Sequence, residues 1–148
     1  MKYILILWEN HEIWIEIDDE KYALRQICKE PNGDIEISCF DDCLAEGIIE
    51  EEDLDGEIIK VSKEDFEKKW KSLTKDHLDN WKKIKEKYFI GSRITGKCKY
   101  FYPQGAIIEC QDWTALYEDR FKVDVNQVVK GTVCGYDEDN MWIKIDID

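Results

Sequence analysis

The sequence has no uncharged apolar run longer than Tyr3–Trp8. That is a strand's length, so no helix is expected to cross a membrane. The run is also too short for the apolar core of a secretory signal, and no small-residue cleavage site follows it. The expectation is a chain that starts at Met1 and stays in the cytoplasm. Histidine is scarce: His11 and His77 are the only two, and neither stands beside a nucleophile motif. A glycine-rich phosphate loop, HExxH and G-x-S-x-G are all missing. Nothing pairs a nucleophile with a base, which argues against an enzyme and against any cofactor. The cysteines, at positions 28, 39, 43, 98, 110 and 134, are expected to be reduced thiols packed as small hydrophobes. Cys39 and Cys43 are the one pair close in sequence, and no second pair or nearby histidine completes a zinc set, so no metal is expected.

Positive charge is the other shortage. Lys and Arg number 21 against 34 Asp and Glu, a formal net charge of −13. The chain is nonetheless 43% hydrophobic and 12% aromatic, too apolar for a disordered acidic tail. Residues 1–72 hold 9 basic and 21 acidic side chains, residues 73–90 hold 5 and 3, and residues 91–148 hold 7 and 10. The acidity is therefore an N-terminal property. It peaks between Asp41 and Glu57, with nine acidic residues and no Lys or Arg. Such a block repels itself unless something basic neutralises it. It is either a solvated loop that aids solubility or a docking surface for a cationic protein.

Strands are expected at 2–8, 12–17, 21–29 and 34–40. Ile13, Ile15 and Ile17 alternate with Glu12, Trp14 and Glu16, the period of a sheet with one wetter face. Pro31-Asn32-Gly33 marks a hairpin, and the whole reads as an antiparallel meander. A short helical turn is expected at 43–46. Ser62 with Asp65 three residues on is a capping-box-like start. Phe66, Trp70 and Leu73 then form one apolar helical face that should pack on the meander. A second helix, from Thr74 or Asp76, carries Leu78, Trp81, Ile84 and Tyr88 as its apolar stripe. Lys82, Lys83, Lys85 and Lys87 form its basic outer face, suited to the C-terminal end of the helix dipole. It is expected to connect two domains. After Gly91 five short strands follow: 94–102, 106–110, 114–117, 128–136 and 141–147. That is the pattern of a small OB-type barrel. The fold class is thus α+β, with an acidic α+β domain at 1–72, a connector helix at 73–90 and a barrel at 91–148.

Gly91, Gly96-Lys97-Cys98, Tyr102-Pro103-Gln104-Gly105-Ala106-Ile107 and Val128-Val129-Lys130-Gly131-Thr132-Val133 through Asp137 carry a family pattern. On these residues the second half resembles the OB-fold RNA-binding repeat of the ribosomal protein S-one type. The family stacks bases on aromatics flanking the turn glycine; here those positions are Gln104 and Ile107, which have no π face. Tyr117 or Glu118 stands at the family's third-strand His, Asp137 matches its last-turn Asp, and Trp142 replaces its Arg. The resemblance implies the scaffold, with Tyr100, Tyr102, Tyr117, Asp137 and Trp142 as the remnant of an RNA face. Trp113 is a further exposed-looking aromatic. Single-strand binders need stacking platforms and a positive groove, so no tight RNA binding is expected.

Met1-Lys2-Tyr3-Ile4 with Trp8, the run Glu16 to Ile27 containing Tyr22 and Arg25, Asn32-Gly33, and Glu64-Asp65-Phe66 with Trp70 carry a second pattern. On these residues 1–72 resemble an uncharacterised bacterial domain family found among candidate immunity proteins of polymorphic toxin systems. The resemblance implies an immunity protein that binds and neutralises the C-terminal domain of a contact-dependent or polymorphic toxin. A basic nuclease is the expected partner, because its phosphate-attracting cleft is cationic and can be plugged by carboxylates and aromatic anchors. The expected contacts are Asp41, Asp42, Glu50, Glu51, Glu52 and Asp53, with Trp8 or Trp14 as anchors unless these pack on the sheet. The alternative is an RNA-binding or ribosome-associated regulator acting through the barrel and the Lys82–Lys87 face.

Overall fold

The computed structural model describes residues 1–147; Asp148, the expected end of the barrel, lies outside them. The chain divides into two compact units, Met1–Lys75 and a second that runs from Asp76 to the C-terminal end.

In the first unit, β1 (Lys2–Trp8), β2 (His11–Ile17), β3 (Ala23–Lys29), β4 (Ile35–Ile37) and β5 (Glu57–Lys60) form a sheet of order β4-β3-β2-β1-β5. Every pairing is antiparallel. The expected meander is present. The fourth strand is shorter than expected, because the chain leaves the ladder after Ile37. There the Ser38 Oγ accepts the Gln26 N–H at 3.0 Å and the Asp41 carboxylate accepts the Ile37 N–H at 2.9 Å. The expected helical turn at 43–46 is absent; a 3-10 turn occurs at Glu51–Asp53 instead. The apolar residues after Gly56 form β5, a strand not expected from the sequence. It pairs with β1 through Ile4↔Lys60 to Leu7↔Glu57.

The sheet is buried on both faces. Helix α1 (Lys63–Thr74) starts on Ser62, whose Oγ accepts the Asp65 N–H at 3.0 Å. That bond supplies one of the N-terminal amides with a partner the helix cannot give it. Phe66 and Trp70 of α1 are buried, and the Phe66 ring lies 5.2 Å from Tyr3. Tyr3, Glu16 and Arg25 are register partners and share this face. The face expected to be wetter is therefore the one the helix covers. Over the other face, which carries Ile4, Ile15 and Gln26, passes the segment 38–56. Its Cys39, Leu44 and Ile49 are buried. The Ala45 N–H bonds the Gln26 Oε1 at 2.8 Å, and the Ile49 N–H bonds the Lys21 carbonyl at 2.8 Å.

A 3-10 turn at Lys75–His77 leads into α2 (Leu78–Lys87), which begins later than the expected Thr74 or Asp76. No glycine or proline breaks the chain there, and Lys75 keeps helical dihedrals. The second unit then forms β6 (Arg93–Tyr102), β7 (Gly105–Cys110), β8 (Thr114–Tyr117), β9 (Val128–Asp137) and β10 (Trp142–Ile147). These close a barrel of order β10-β8-β7-β6-β9, sealed by the β9–β10 pairing. Only β8 and β10 pair in parallel. A closed five-stranded barrel of this kind is compatible with the OB type. At the β6–β7 turn, Gly105 has φ +148° and a Cβ there would lie 2.3 Å from the Tyr117 carbonyl oxygen. Only glycine permits that approach.

Helix α2 packs on its own barrel. Trp81 is 2% exposed. Its ring stacks at 5.9 Å on Trp113 and meets Tyr136 edge-on at 5.8 Å, while its Nε1–H donates to Glu138 at 3.1 Å. Among the described residues, no helix is long and apolar enough to cross a membrane.

Candidate functional site

The acidic segment is built by its anchors. Leu44 and Ile49 point inward while Asp42, Glu46, Glu52 and Asp53 remain exposed. Two of its carboxylates have basic partners from elsewhere in the unit. Lys2 meets Glu51 at 2.8 Å, and Lys21 meets Glu50 at 3.0 Å. The Lys2 hydrogen bond holds the Glu51 carboxyl below its usual range, against a small opposing effect of desolvation. The block is thus less self-repelling than its sequence implies, because strand pairing carries Lys2 and Lys21 to it. Asp41 serves the fold, since its carboxylate takes the Ile37 N–H and its own N–H bonds the Ile37 carbonyl at 2.8 Å. Among the described residues Asp42, Glu46, Glu52 and Asp53 make no ion pair.

The two candidate anchors separate. Trp8, 40% exposed, ends β1 on the parity of Ile4 and Ile6, the face crossed by the acidic segment. It stacks on His11 at 5.6 Å. Gly56, at the end of the acidic run, sits against it with φ +93°; a Cβ there would fall 2.7 Å from the Trp8 Cβ. Trp14 lies on the opposite face under α1, where its Nε1–H donates to Glu12 at 2.7 Å and Lys69 covers the ring at 5.8 Å. Trp8 therefore adjoins the acidic surface and Trp14 does not.

The helix-covered face holds a buried charge cluster that alternation in the sequence does not reveal. Arg25 donates to Glu16 through Nε at 2.9 Å and Nη2 at 2.8 Å, and both terminal nitrogens reach Glu67. Its guanidinium lies 5.0 Å from the ring centroids of both Phe66 and Trp70. Burial acts to lower the Arg25 pKa, but the hydrogen bonds to Glu16 and Glu67 outweigh it and the net shift is upward. The Arg25 hydrogen bond holds Glu67 below the usual carboxylate range. Burial first, and the Glu16 charge second, push the Tyr3 phenol up to about 12. Four of the five N–H donors of Arg25 are taken by Glu16 and Glu67 and its guanidinium lies between two buried rings, an arrangement that ties β2, β3 and α1 together.

The barrel offers little of an RNA face. Tyr102, Tyr117 and Trp142 are 3%, 9% and 1% exposed, so their rings are not platforms for a base. Tyr100 is half-buried, with its ring 5.1 Å from Tyr102. Trp113, expected to be exposed, is half-buried and donates its Nε1–H to the Met141 carbonyl at 2.6 Å. Asp137 binds the Asn140 N–H at 3.1 Å and side-chain amide at 3.0 Å, closing the β9–β10 turn. Of the basic helical face, Lys85 bonds Glu138 at 3.0 Å and Lys87 pairs with Asp112, while Lys82 and Lys83 stay exposed. An open cleft of about 470 Å³ on the barrel is lined by Tyr117, Lys122 and Lys144 among others. Both lysines are paired there, Lys122 with Asp119 and Lys144 with Glu118, each at 3.3 Å.

Among the described residues, no group of three His, Cys, Asp or Glu is placed to hold a metal ion. The acidic surface of the first unit is anchored by the buried Leu44 and Ile49, and Trp8 lies against its Gly56 end. No protein-family model matches the chain, and no curated protein matches it.

Proposed function

We propose that this chain is an immunity protein that binds a cationic toxin domain, a basic nuclease, through the acidic segment between Asp41 and Glu57. The observation that carries the reading is the pairing of buried anchors with outward carboxylates. The segment is held on the sheet by Leu44, Ile49 and the Gln26 hydrogen bonds, it presents unpaired charges, and its Gly56 end lies against the exposed Trp8. A fixed acidic surface next to one aromatic anchor suits a partner that must itself attract phosphate. The burial of Tyr102, Tyr117 and Trp142 counts against RNA binding by the barrel.

The test is co-expression with a toxic nuclease domain, taken from a gene that ends just upstream of this one, with and without charge reversal at Glu52 and Asp53; the absence of any such toxin gene there also counts against the reading. Both positions are exposed and outside the Lys2 and Lys21 pairs, so the variant retains the fold. The unaltered chain should restore growth. The variant should protect less and associate more slowly, with a weaker dependence on salt. Full protection with unchanged association kinetics refutes docking through the acidic segment. Sub-micromolar, salt-sensitive binding of single-stranded RNA refutes the immunity reading.

A further inference from the structure

Cys28 and Cys43 are fifteen positions apart, yet the fold brings them together. Cys28 lies on β3 opposite Ile13, on the sheet face crossed by the acidic segment, and Cys43 belongs to that segment. Both converge on Gln26. Its Nε2–H donates to the Cys28 sulfur at 3.2 Å, while the Cys43 Sγ lies 3.9 Å from its carbonyl oxygen. The two thiols are also near enough that each perturbs the other's acidity. Both residues are half-buried, so a small solute can reach them, and all six cysteines are thiols.

We propose that Cys28 and Cys43 form a hydroperoxide-reactive dithiol that closes reversibly into a disulfide, tying the acidic segment to β3. The Gln26 amide donor aimed at the Cys28 sulfur favours its anionic form, whereas the Cys43 thiol points to a carbonyl oxygen and keeps its proton. The neighbouring Cys43 thiol first, and the Gln26 donor with it, lower the Cys28 pKa against burial and the carboxylates of Glu36 and Glu30. The neighbouring Cys28, with burial and the Glu36 and Asp41 charges, pushes Cys43 up. Their roles differ accordingly. The Cys28 thiolate attacks one peroxide oxygen; an S–O bond forms, the O–O bond breaks and the leaving hydroxide takes a proton to become water. The Cys43 sulfur, giving up its proton, then attacks the Cys28 sulfenic sulfur; the S–S bond forms and a second water leaves. Two thiols and one hydrogen peroxide give one disulfide and two waters, with two electrons passed to the peroxide; an organic hydroperoxide would give its alcohol in place of the first water.

Cys134 is an internal control. It is exposed, but burial of its sulfur and the Asp146 and Glu118 charges raise its pKa. The inference does not depend on the identity of any partner.

The experiment treats the full chain with hydrogen peroxide near neutral pH, blocks remaining thiols by alkylation and maps the peptides. The expected product is a Cys28–Cys43 disulfide, with two fewer alkylated cysteines than the original six and full reversal by dithiothreitol. Cys28 should react several-fold faster than Cys134, since its larger thiolate fraction outweighs the lower intrinsic nucleophilicity of a more acidic thiol. Cys43→Ser should stop the reaction at a Cys28 sulfenic acid trapped by dimedone, whereas Cys28→Ser should leave Cys43 unreacted. Amide exchange in residues 38–56 should slow in the oxidised protein. Oxidation that is no faster at Cys28 than at Cys134, or that carries Cys28 to a sulfinic acid without the cross-link in the unaltered chain, overturns the proposal.

Discussion

Replacing Arg25 with methionine removes the one cation that hydrogen-bonds both Glu16 and Glu67 under α1. The Arg25 side chain is 4% exposed, and those of Glu16 and Glu67 are 9% and 20% exposed. The variant therefore leaves two carboxylates in a poorly hydrated space with no hydrogen-bonded cation, Glu67 keeping only the weaker influence of Lys71 and Lys63. Breaking a buried pair from one side costs about 3–5 kcal/mol. The lost contacts to Phe66 and Trp70, at 5.0 Å each, place the expected loss toward the upper end of that range. In a unit of this size each kcal/mol moves the midpoint by about 4–8 °C, so a loss near 4 kcal/mol lowers Tm by about 15–30 °C. Amide exchange along β3, read during urea denaturation, reports on this unit specifically. The pH dependence should also change sign. With Arg25 present, the depressed Glu67 pKa contributes stability above the unfolded value of about 4.3, lost as pH falls toward the folded value. Without Arg25, protonation relieves the buried carboxylates, so the gap between variant and parent narrows as pH falls. Replacing Glu16, Arg25 and Glu67 together by Leu, Met and Met should recover most of the loss. A loss under about 1 kcal/mol for Arg25→Met, or a triple variant as weak as the single one, would show that the cluster is hydrated.

Reversing Glu50 and Glu51 to Lys should destabilise the unit slightly, by up to about 1 kcal/mol per lost pair in urea melts, since Lys21 and Lys2 would then face like charge. A gain in stability would mean that repulsion within the acidic segment outweighs both pairs. Gly56→Ala should cost about 1–3 kcal/mol, because φ is +93° and the new Cβ would lie 2.4 Å from the Leu7 carbonyl oxygen; faster exchange confined to β5 and β1 is the check. Because the Tyr3 pKa is raised to about 12, its contribution is complete below pH ~10 and is lost as pH rises through the folded value. Phenolate absorbance in the parent and in Tyr3→Phe should show one late-titrating tyrosine that the variant lacks.

Local signals carried most of the architecture. The Ile13, Ile15, Ile17 alternation, the Pro31-Asn32-Gly33 turn, the Ser62 cap and the spacing of five strands after Gly91 each depend on neighbours within a few residues, and the elements they mark are present. What could not be read depends on partners far along the chain. Glu12, Trp14 and Glu16 have the pattern of a wet face. That face is buried because Arg25 stands across the ladder from Glu16 and Glu67 arrives from α1, 42 residues from Arg25. β5 is four residues long beside a dense acidic run and is a strand because β1 offers it an edge. The acidic surface was visible as composition, but the Lys2 and Lys21 pairs that temper it come from elsewhere in the chain, Lys2 from β1 and Lys21 from the β2–β3 turn. Trp142 resembled a remnant of a binding face because β10 is only six residues long and its first four are buried or half-buried, with no alternation to betray the ring.

Anchoring and display are assigned to different positions of the segment between β4 and β5, and this separates the mutational tolerance of the two. Leu44, Ile49 and the cap formed by Asp41 resist change because the sheet face beneath would be laid open. Asp42, Glu46, Glu52 and Asp53 bear no such duty and can drift in sign, size or hydrogen-bonding character at little cost to folding. Such a segment can be re-specified for a new ligand by substitution alone, without altering its length or the strands around it. A library randomised at those four positions, with the anchors held constant, should keep most of its members folded while sampling many different surfaces.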